Sequence, residues 1–262
     1  MKVSIVMSTF NRAHLLDLGL SSILKQDIRY NFEIIVVNDG CEDNTEEVCE
    51  KYFNKCQLKY YFSGEKNKNG IIPRCPSIPQ NIGIMKSTGD IIILTCPEIF
   101  HLNLNGINNI IEPLINNKNF LTIPKVMWFD DDNYYTAKLL LNIEEKMSHC
   151  TIDNDSVVMP FLMGIWRTHL MHIGGYDEDF TGYASDDNDL IDRLKLIGCS
   201  HHKVDAEIIH LYHGKRCTGQ YMWDNPDWVY NYNLYQKKKD AKTLYEKNNA
   251  IIRNKLRNWG EL

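Results

Sequence analysis

The sequence predicts an α/β fold, with a mostly parallel central sheet flanked by helices, built as a single integrated domain with a helical carboxy-terminal tail. Three observations carry this expectation. Short β-branched runs alternate with stretches of helical periodicity over the first hundred residues. The strand-like runs are apolar on both faces, as a sheet covered on both sides requires. Polar residues gather where those runs end, which is the edge at which such sheets receive ligands.

Lys2–Met7 is the first apolar run, and Ala13–Gln26 follows with Leu15, Leu16, Leu20, Ile23 and Leu24 at helical spacing. Phe32–Val37 is a second strand and stops at Asn38-Asp39-Gly40, a turn signal. Asn44–Phe53 carries Glu46 and Glu47 in its first turn, where acids suit a helix start. Lys59–Phe62 reads as a strand, Pro79–Ser87 as a helix, and Asp90–Thr95 as a strand with Ile91, Ile92, Ile93 and Leu94 at its centre. Beyond this point the pattern loosens. Asn103–Asn119 reads as a helix, Phe120–Ile123 and Val157–Ile165 as strands, and Asp130-Asp131-Asp132-Asn133 as a solvated loop between them. Ser185–Ile197 is helical, with Gly198 in the C′ position, and Glu207–Tyr212 is extended. The tail from Tyr221 carries Trp223, Trp228 and several tyrosines, then Lys237-Lys238-Lys239, and is expected to continue as an amphipathic helix to about Trp259.

Composition excludes several classes. The chain has 262 residues, 44% hydrophobic and 24% charged, with a formal charge of −5, so no net basic surface invites nucleic acid. No apolar run approaches the roughly 18–20 residues that span a bilayer. Ser and Thr interrupt the first apolar run too early for a signal peptide. Eight cysteines without a Cys-x-x-Cys pair suggest reduced thiols and a cytoplasmic protein.

Taken singly, the polar residues at the strand ends have two uses. Asp39 can accept hydrogen bonds from a nucleoside or cap the next helix, and Thr9-Phe10-Asn11-Arg12 can meet phosphates through backbone N–H groups or form a polar loop. Asp186 and Asp187 can serve a reaction or cap the helix they open. His210 and His213, at i and i+3 of an extended segment, are expected on opposite faces.

Together these segments resemble a known family. Val3–Arg12, and Val36-Val37-Asn38-Asp39-Gly40 with the turn to Thr45, resemble the first two strands of family 2 glycosyltransferases of the GT-A fold. Asn81-Ile82-Gly83-Ile84 and Thr88-Gly89-Asp90-Ile91-Ile92 resemble the helix and strand leading into that family's metal-binding Asp-x-Asp. Gly174-Gly175-Tyr176-Asp177-Glu178 through Gly182-Tyr183-Ala184-Ser185-Asp186-Asp187-Asn188-Asp189 resembles the catalytic block of β-1,4-galactosyltransferases, chondroitin-type polymerases and polypeptide N-acetylgalactosaminyltransferases.

The resemblance implies an inverting transfer of a hexose or N-acetylhexosamine from a nucleotide sugar, a UDP-sugar by family habit, to a hydroxyl of a glycan or glycolipid in polysaccharide biosynthesis. It implies Asp187 as general base, with Asp186 beside it on sugar hydroxyls. Thr9, Asn11, Arg12, Asp39, Asn81 and Tyr183 fall on the donor, with Tyr183 where the family has Trp. The sequence departs from the pattern at Cys96-Pro97-Glu98, where only the last acid of Asp-x-Asp is kept. Glu98 and His213 then fall on a divalent cation, Mn2+ or Mg2+. Residues 1–98 become the nucleotide-sugar-binding half, 99–220 the acceptor-binding and catalytic half, and 221–262 an aromatic and Lys-rich tail that can hold an acceptor or touch a membrane face. Lys215 and Arg216 are candidate clamps on the diphosphate, and Arg167 can reach an acid or phosphate. Cys96 also motivates a rival, an inactive module that only binds sugar nucleotide or glycan. A nucleotidyltransferase, the third reading, lacks a fitting phosphate loop.

Overall fold

A computed structural model describes residues 1–64, 75–128, 151–153, 159–182, 184–211, 213, 224–240, 251–256 and 258–261. Asp130, Asp131, Asp132, Tyr183, Lys215, Arg216 and Trp223 lie outside the described residues. In chain order the elements are β1 (Lys2–Thr9), α1 (Ala13–Leu24), β2 (Asn31–Asn38), α2 (Thr45–Glu50), β3 (Leu58–Phe62), α3 (Ser77–Lys86), β4 (Ile91–Thr95) and β5 (Ile99–His101). They continue with α4 (Gly106–Asn116), β6 (Phe120–Trp128), β7 (Thr151–Asp153), β8 (Leu162–Trp166), α5 (Arg167–Ile173), α6 (Asp186–Leu196), β9 (Ser200–His210) and α7 (Pro226–Asp240).

The described strands form one sheet in the order β3-β2-β1-β4-β8-β6-β9-β5, with β7 on β6. Its first half is parallel, as expected: β1 pairs β2 from Lys2↔Asn31 to Thr9↔Asn38, and β4 from Val3↔Ile91 to Met7↔Thr95. The second half makes the sheet mixed. β4–β8, β6–β8, β5–β9 and β6–β7 are antiparallel, and only β6–β9 runs parallel there.

Successive residues of the central strands feed two cores. Ile5, Met7, Ile91 and Ile93 pack with α1 and α4 on one face, and Val6, Ile92 and Leu94 pack with α3, α5 and α6 on the other. All four of Ile91, Ile92, Ile93 and Leu94 are fully buried, each such side chain contributing about 1.5–3 kcal/mol. α6 ends in a Schellman motif: Gly198 has φ +93°, its N–H donates to Lys195, and the Cys199 N–H donates to Leu194.

Three expectations need correction. β8 starts at Leu162, after a turn, rather than near residue 157. Arg167 lies at the amino end of β4, away from the ligand edge, with its Nε on Ser87 Oγ at 3.2 Å and its N–H on the Asp90 carbonyl. The tail helix does not reach Trp259: α7 ends at Asp240, and 251–256 is irregular chain that returns to the core. This return explains the Gly174-Gly175 pair. Both have positive φ, and a Cβ would stand 2.3 Å from the Arg253 carbonyl oxygen at Gly174 and 2.6 Å from the Trp259 ring at Gly175. Among the described residues no helix is long and apolar enough to cross a membrane.

Candidate functional site

The turn after β4 presents Glu98, nearly fully buried, towards the end of β9. Ligand atoms of Glu98, His210 and His213 all lie within 4.8 Å of one another. Nε2 of His210 is 3.7 Å and Nε2 of His213 3.5 Å from Glu98 Oε1. His210 is the residue that sequence reasoning misses. The alternation of faces applies only within a strand; β9 ends at His210, and the Leu211 N–H already donates to the Glu98 carbonyl at 2.8 Å. The path beyond the strand lets both imidazoles meet one carboxylate. A carboxylate with two imidazoles fits a divalent transition metal such as Mn2+ and is poorer in oxygen than Mg2+ prefers.

Arg12 shares this cluster. Its Nη1 donates to Glu98 Oε1 at 2.5 Å, and Nη2 lies 3.4 Å from His213 Nδ1. The surrounding loop uses its own backbone amides. The Asn11 N–H meets Cys41 Sγ at 3.2 Å, and the Ala13 N–H donates to the Asp43 carboxylate at 2.8 Å. Asp43 therefore supplies the anion that the amino end of α1 attracts. The Asn11 N–H, one of those expected to meet phosphates, is thus engaged within the protein, and the Arg12 side chain reaches the cluster. Asn11 has φ +51° and holds the loop through its Oδ1, which accepts the Glu42 N–H at 2.8 Å. Thr9 closes β1, with its hydroxyl buried and without a hydrogen-bond partner among the described residues. Asp39 is buried next to it, its N–H on the Thr9 carbonyl and one carboxylate oxygen accepting from Ser63 Oγ at 3.1 Å.

Asn81 is bonded within the protein. Fully buried on α3, it accepts the Tyr176 N–H at 2.8 Å and donates to the Tyr176 carbonyl and the Glu178 carboxylate, both at 2.9 Å. It pins the Gly174–Glu178 turn against α3. Its side chain thus has an internal use that the donor assignment does not foresee.

The acids before α6 are presented by a strained turn. Ala184 (φ +79°) and Ser185 (φ +70°) both sit in the left-handed region, at about 1–2 kcal/mol each. Such strain persists where the surroundings hold it, often beside functional groups. Asp186 is buried, with Ser77 Oγ 3.5 Å from Oδ2, and Asp187 is half-buried, with the Tyr176 hydroxyl donating to it at 3.2 Å. Burial, followed by the charges of Asp187, Asp186 and Cys96, pushes the Tyr176 hydroxyl well above its ordinary pKa, so it stays a donor. Burial does the same to the Cys75 thiol, with Asp186 adding to it. The third acid, Asp189, is buried otherwise. Arg193 Nε and Arg253 Nη2 each donate to it at 2.7 Å, and although burial alone raises its pKa, the two guanidiniums hold it below the usual carboxylate value.

Residues 4–95 match the family model described as Glycosyl transferase family 2. Residues 145–216, which include the whole Gly174–Asp189 block, match a second model, described as the N-terminal domain of galactosyltransferase. The chondroitin synthase of Pasteurella multocida is 23% identical over 238 residues, covering 78% of the chain and 24% of the synthase. The poly(ribitol-phosphate) beta-N-acetylglucosaminyltransferase TarS of Staphylococcus aureus is 33% identical over 94 residues, covering 36% of the chain and 15% of that protein. The chain therefore spans a quarter or less of the length of these two relatives. In fold, the chain is similar to GalNAc-T7 solved with UDP, GalNAc and Mn2+, at a TM-score of 0.67 and 16% identity over 94% of the chain and 49% of that structure. The family models and these relatives are all glycosyltransferases.

Proposed function

We propose that the protein is an inverting glycosyltransferase that moves a hexose or N-acetylhexosamine from a nucleotide sugar, UDP-linked, to a hydroxyl of a glycan or glycolipid. The observation that carries this reading is the cluster of Glu98, His210 and His213, whose ligand atoms all lie within 4.8 Å of one another, and Asp187, held by the Tyr176 hydroxyl, is the carboxylate read with it. A carboxylate and a cation-holding cluster on two sides of one site are what a direct displacement needs, and no covalent nucleophile is required. Asp187 accepts the proton of the acceptor hydroxyl as its oxygen bonds to the anomeric carbon and the bond to the diphosphate breaks. Asp186 orients sugar hydroxyls, and Thr9, Asn11, Arg12, Asp39 and Tyr183 form the donor side. Glu98, His210 and His213 would hold the cation, Mn2+ by the chemistry of the set, which supplies neutralising charge to the leaving diphosphate. The relative solved with UDP, GalNAc and Mn2+ supports the donor and cation, and the synthase relative supports a glycan acceptor.

Calorimetric titration of UDP into the intact protein, with and without Mn2+, tests the reading on wild type and His213→Ala. Binding that needs Mn2+ and collapses in the variant is expected. Binding indifferent to both overturns the cation site, and no binding of UDP overturns the donor.

A further inference from the structure

The Arg12–Glu98 pair has no place in the transfer as described, and it occupies the carboxylate that the cation would need. Glu98 keeps only a few per cent of its side-chain surface exposed and Arg12 about a sixth, so the pair is weakly screened. A buried carboxylate stripped of its partner is costly, and Arg12 removes that cost in the resting protein. Resting on the cation reading above, we propose that Arg12 is a resident cation that guards Glu98 and gives it up when a nucleoside diphosphate offers the guanidinium a second anion.

Three features argue for the exchange. Arg12 Nη1 takes Glu98 Oε1, the same oxygen that His210 and His213 approach, so a divalent ion there would stand against a guanidinium. Such charges a few ångströms apart repel strongly in a site this little exposed. Arg12 immediately precedes α1, yet Asp43 already caps that helix and the Asn11 amide is bound to Cys41. A diphosphate arriving at the end of β1 therefore meets a side-chain cation beside the Asn11 and Ala13 amides, which are already taken. The planar guanidinium can also change partners, since it pairs with a carboxylate or a phosphate in the same forked geometry. The consequence is coupling: nucleotide strengthens the protein's hold on the metal by drawing Arg12 off Glu98, and metal strengthens its hold on nucleotide by the same factor.

Manganese binding read by electron paramagnetic resonance on the intact protein tests this without any turnover. In the absence of nucleotide, Arg12→Gln is expected to bind Mn2+ about tenfold more tightly than wild type. Saturating UDP, with chelation by free nucleotide subtracted, is expected to tighten Mn2+ strongly in wild type and little in Arg12→Gln. Arg12→Lys, which keeps a charge and disturbs the loop least, is expected to stay near wild type without nucleotide. Equal or weaker nucleotide-free binding in Arg12→Gln, with Arg12→Lys behaving alike, overturns the guard role. Glu98→Gln separates the two readings: if it leaves Mn2+ binding unchanged, the cation placement itself is wrong and the guard role falls with it. If it abolishes binding while Arg12→Gln shows no gain, only the guard role is lost.

Discussion

Glu98 and Asp187, the two carboxylates on which the proposed chemistry rests, have surroundings that differ in kind. Glu98 is met by a guanidinium and two imidazoles, while Asp187 meets a phenol at 3.2 Å and is half-buried. The first environment is built to hold positive charge and can exchange one carrier for another. The second holds the acid through a neutral hydroxyl donor and leaves it half-buried. Asp189, two residues further along, shows what the protein does with a purely structural acid: it buries it and covers it with Arg193 and Arg253. Position at a helix start does not separate a base from a buttress; the partners do.

The sharpest test of the contrast is Asp187→Asn, expected to lower turnover by about 10²–10⁴-fold while leaving UDP binding intact. Steady-state rates beside calorimetry would show it, and a variant that lost UDP binding instead would move Asp187 to the donor side. Next in size, Asp189→Asn is expected to cost about 3–5 kcal/mol in urea unfolding, because two arginines lose their shared partner. A small change there would make Asp189 dispensable to the fold and break the distinction between the two acids.

His101 sharpens the contrast at the Glu98 end. It lies three residues beyond Glu98, buried, with neither ring nitrogen hydrogen-bonded among the described residues, and burial pushes its pKa down to about 4. The unfolded chain takes up this proton near pH 6.5, before the folded one does. The stabilisation is therefore complete above about pH 6.5 and lost progressively as pH falls towards 4, on the order of 3 kcal/mol in all. His101→Leu is expected to flatten the stability profile across that window; an unchanged profile would mean that His101 has a polar partner. The smallest effect concerns the turn before α6. Ala184→Gly is expected to stabilise the protein by about 1 kcal/mol, seen as a higher unfolding midpoint, because glycine accepts φ +79° without strain.

The parallel half is legible in the sequence because its strands are buried on both faces, so Ile91–Leu94 announces itself as an unbroken apolar run. β9 is only half legible. Its inner end, Ile208–His210, is buried and reads as a strand, whereas its start at Ser200–Asp205 is largely accessible, polar, and written like a loop. Parallel pairing does not extend beyond β4 to most of the later strands because pairing direction is set by connections, which periodicity does not encode. At the site, the types of the residues are readable but not their partners. Glu98 stands out only through resemblance, and Arg12 suggests a phosphate contact because nothing in the sequence says that Asp43, 31 residues away from Arg12, caps α1. His210 escapes notice because the rule of alternate faces lapses where the strand ends.

The return of the chain at 251–256 bears on the order of assembly during synthesis. The Arg253 guanidinium reaches Asp177 at 3.0 Å and Asp189 at 2.7 Å, the latter across 64 residues, and its N–H donates to the Ile173 carbonyl. A nascent chain leaving the ribosome can zip the parallel strands together from segments already exposed. The helix that carries the acids is different, since two of its neighbouring carboxylates wait for an arginine translated much later. The parallel edge is thus set early and the acid turn late, so an incomplete chain holds paired strands and an unfinished α6.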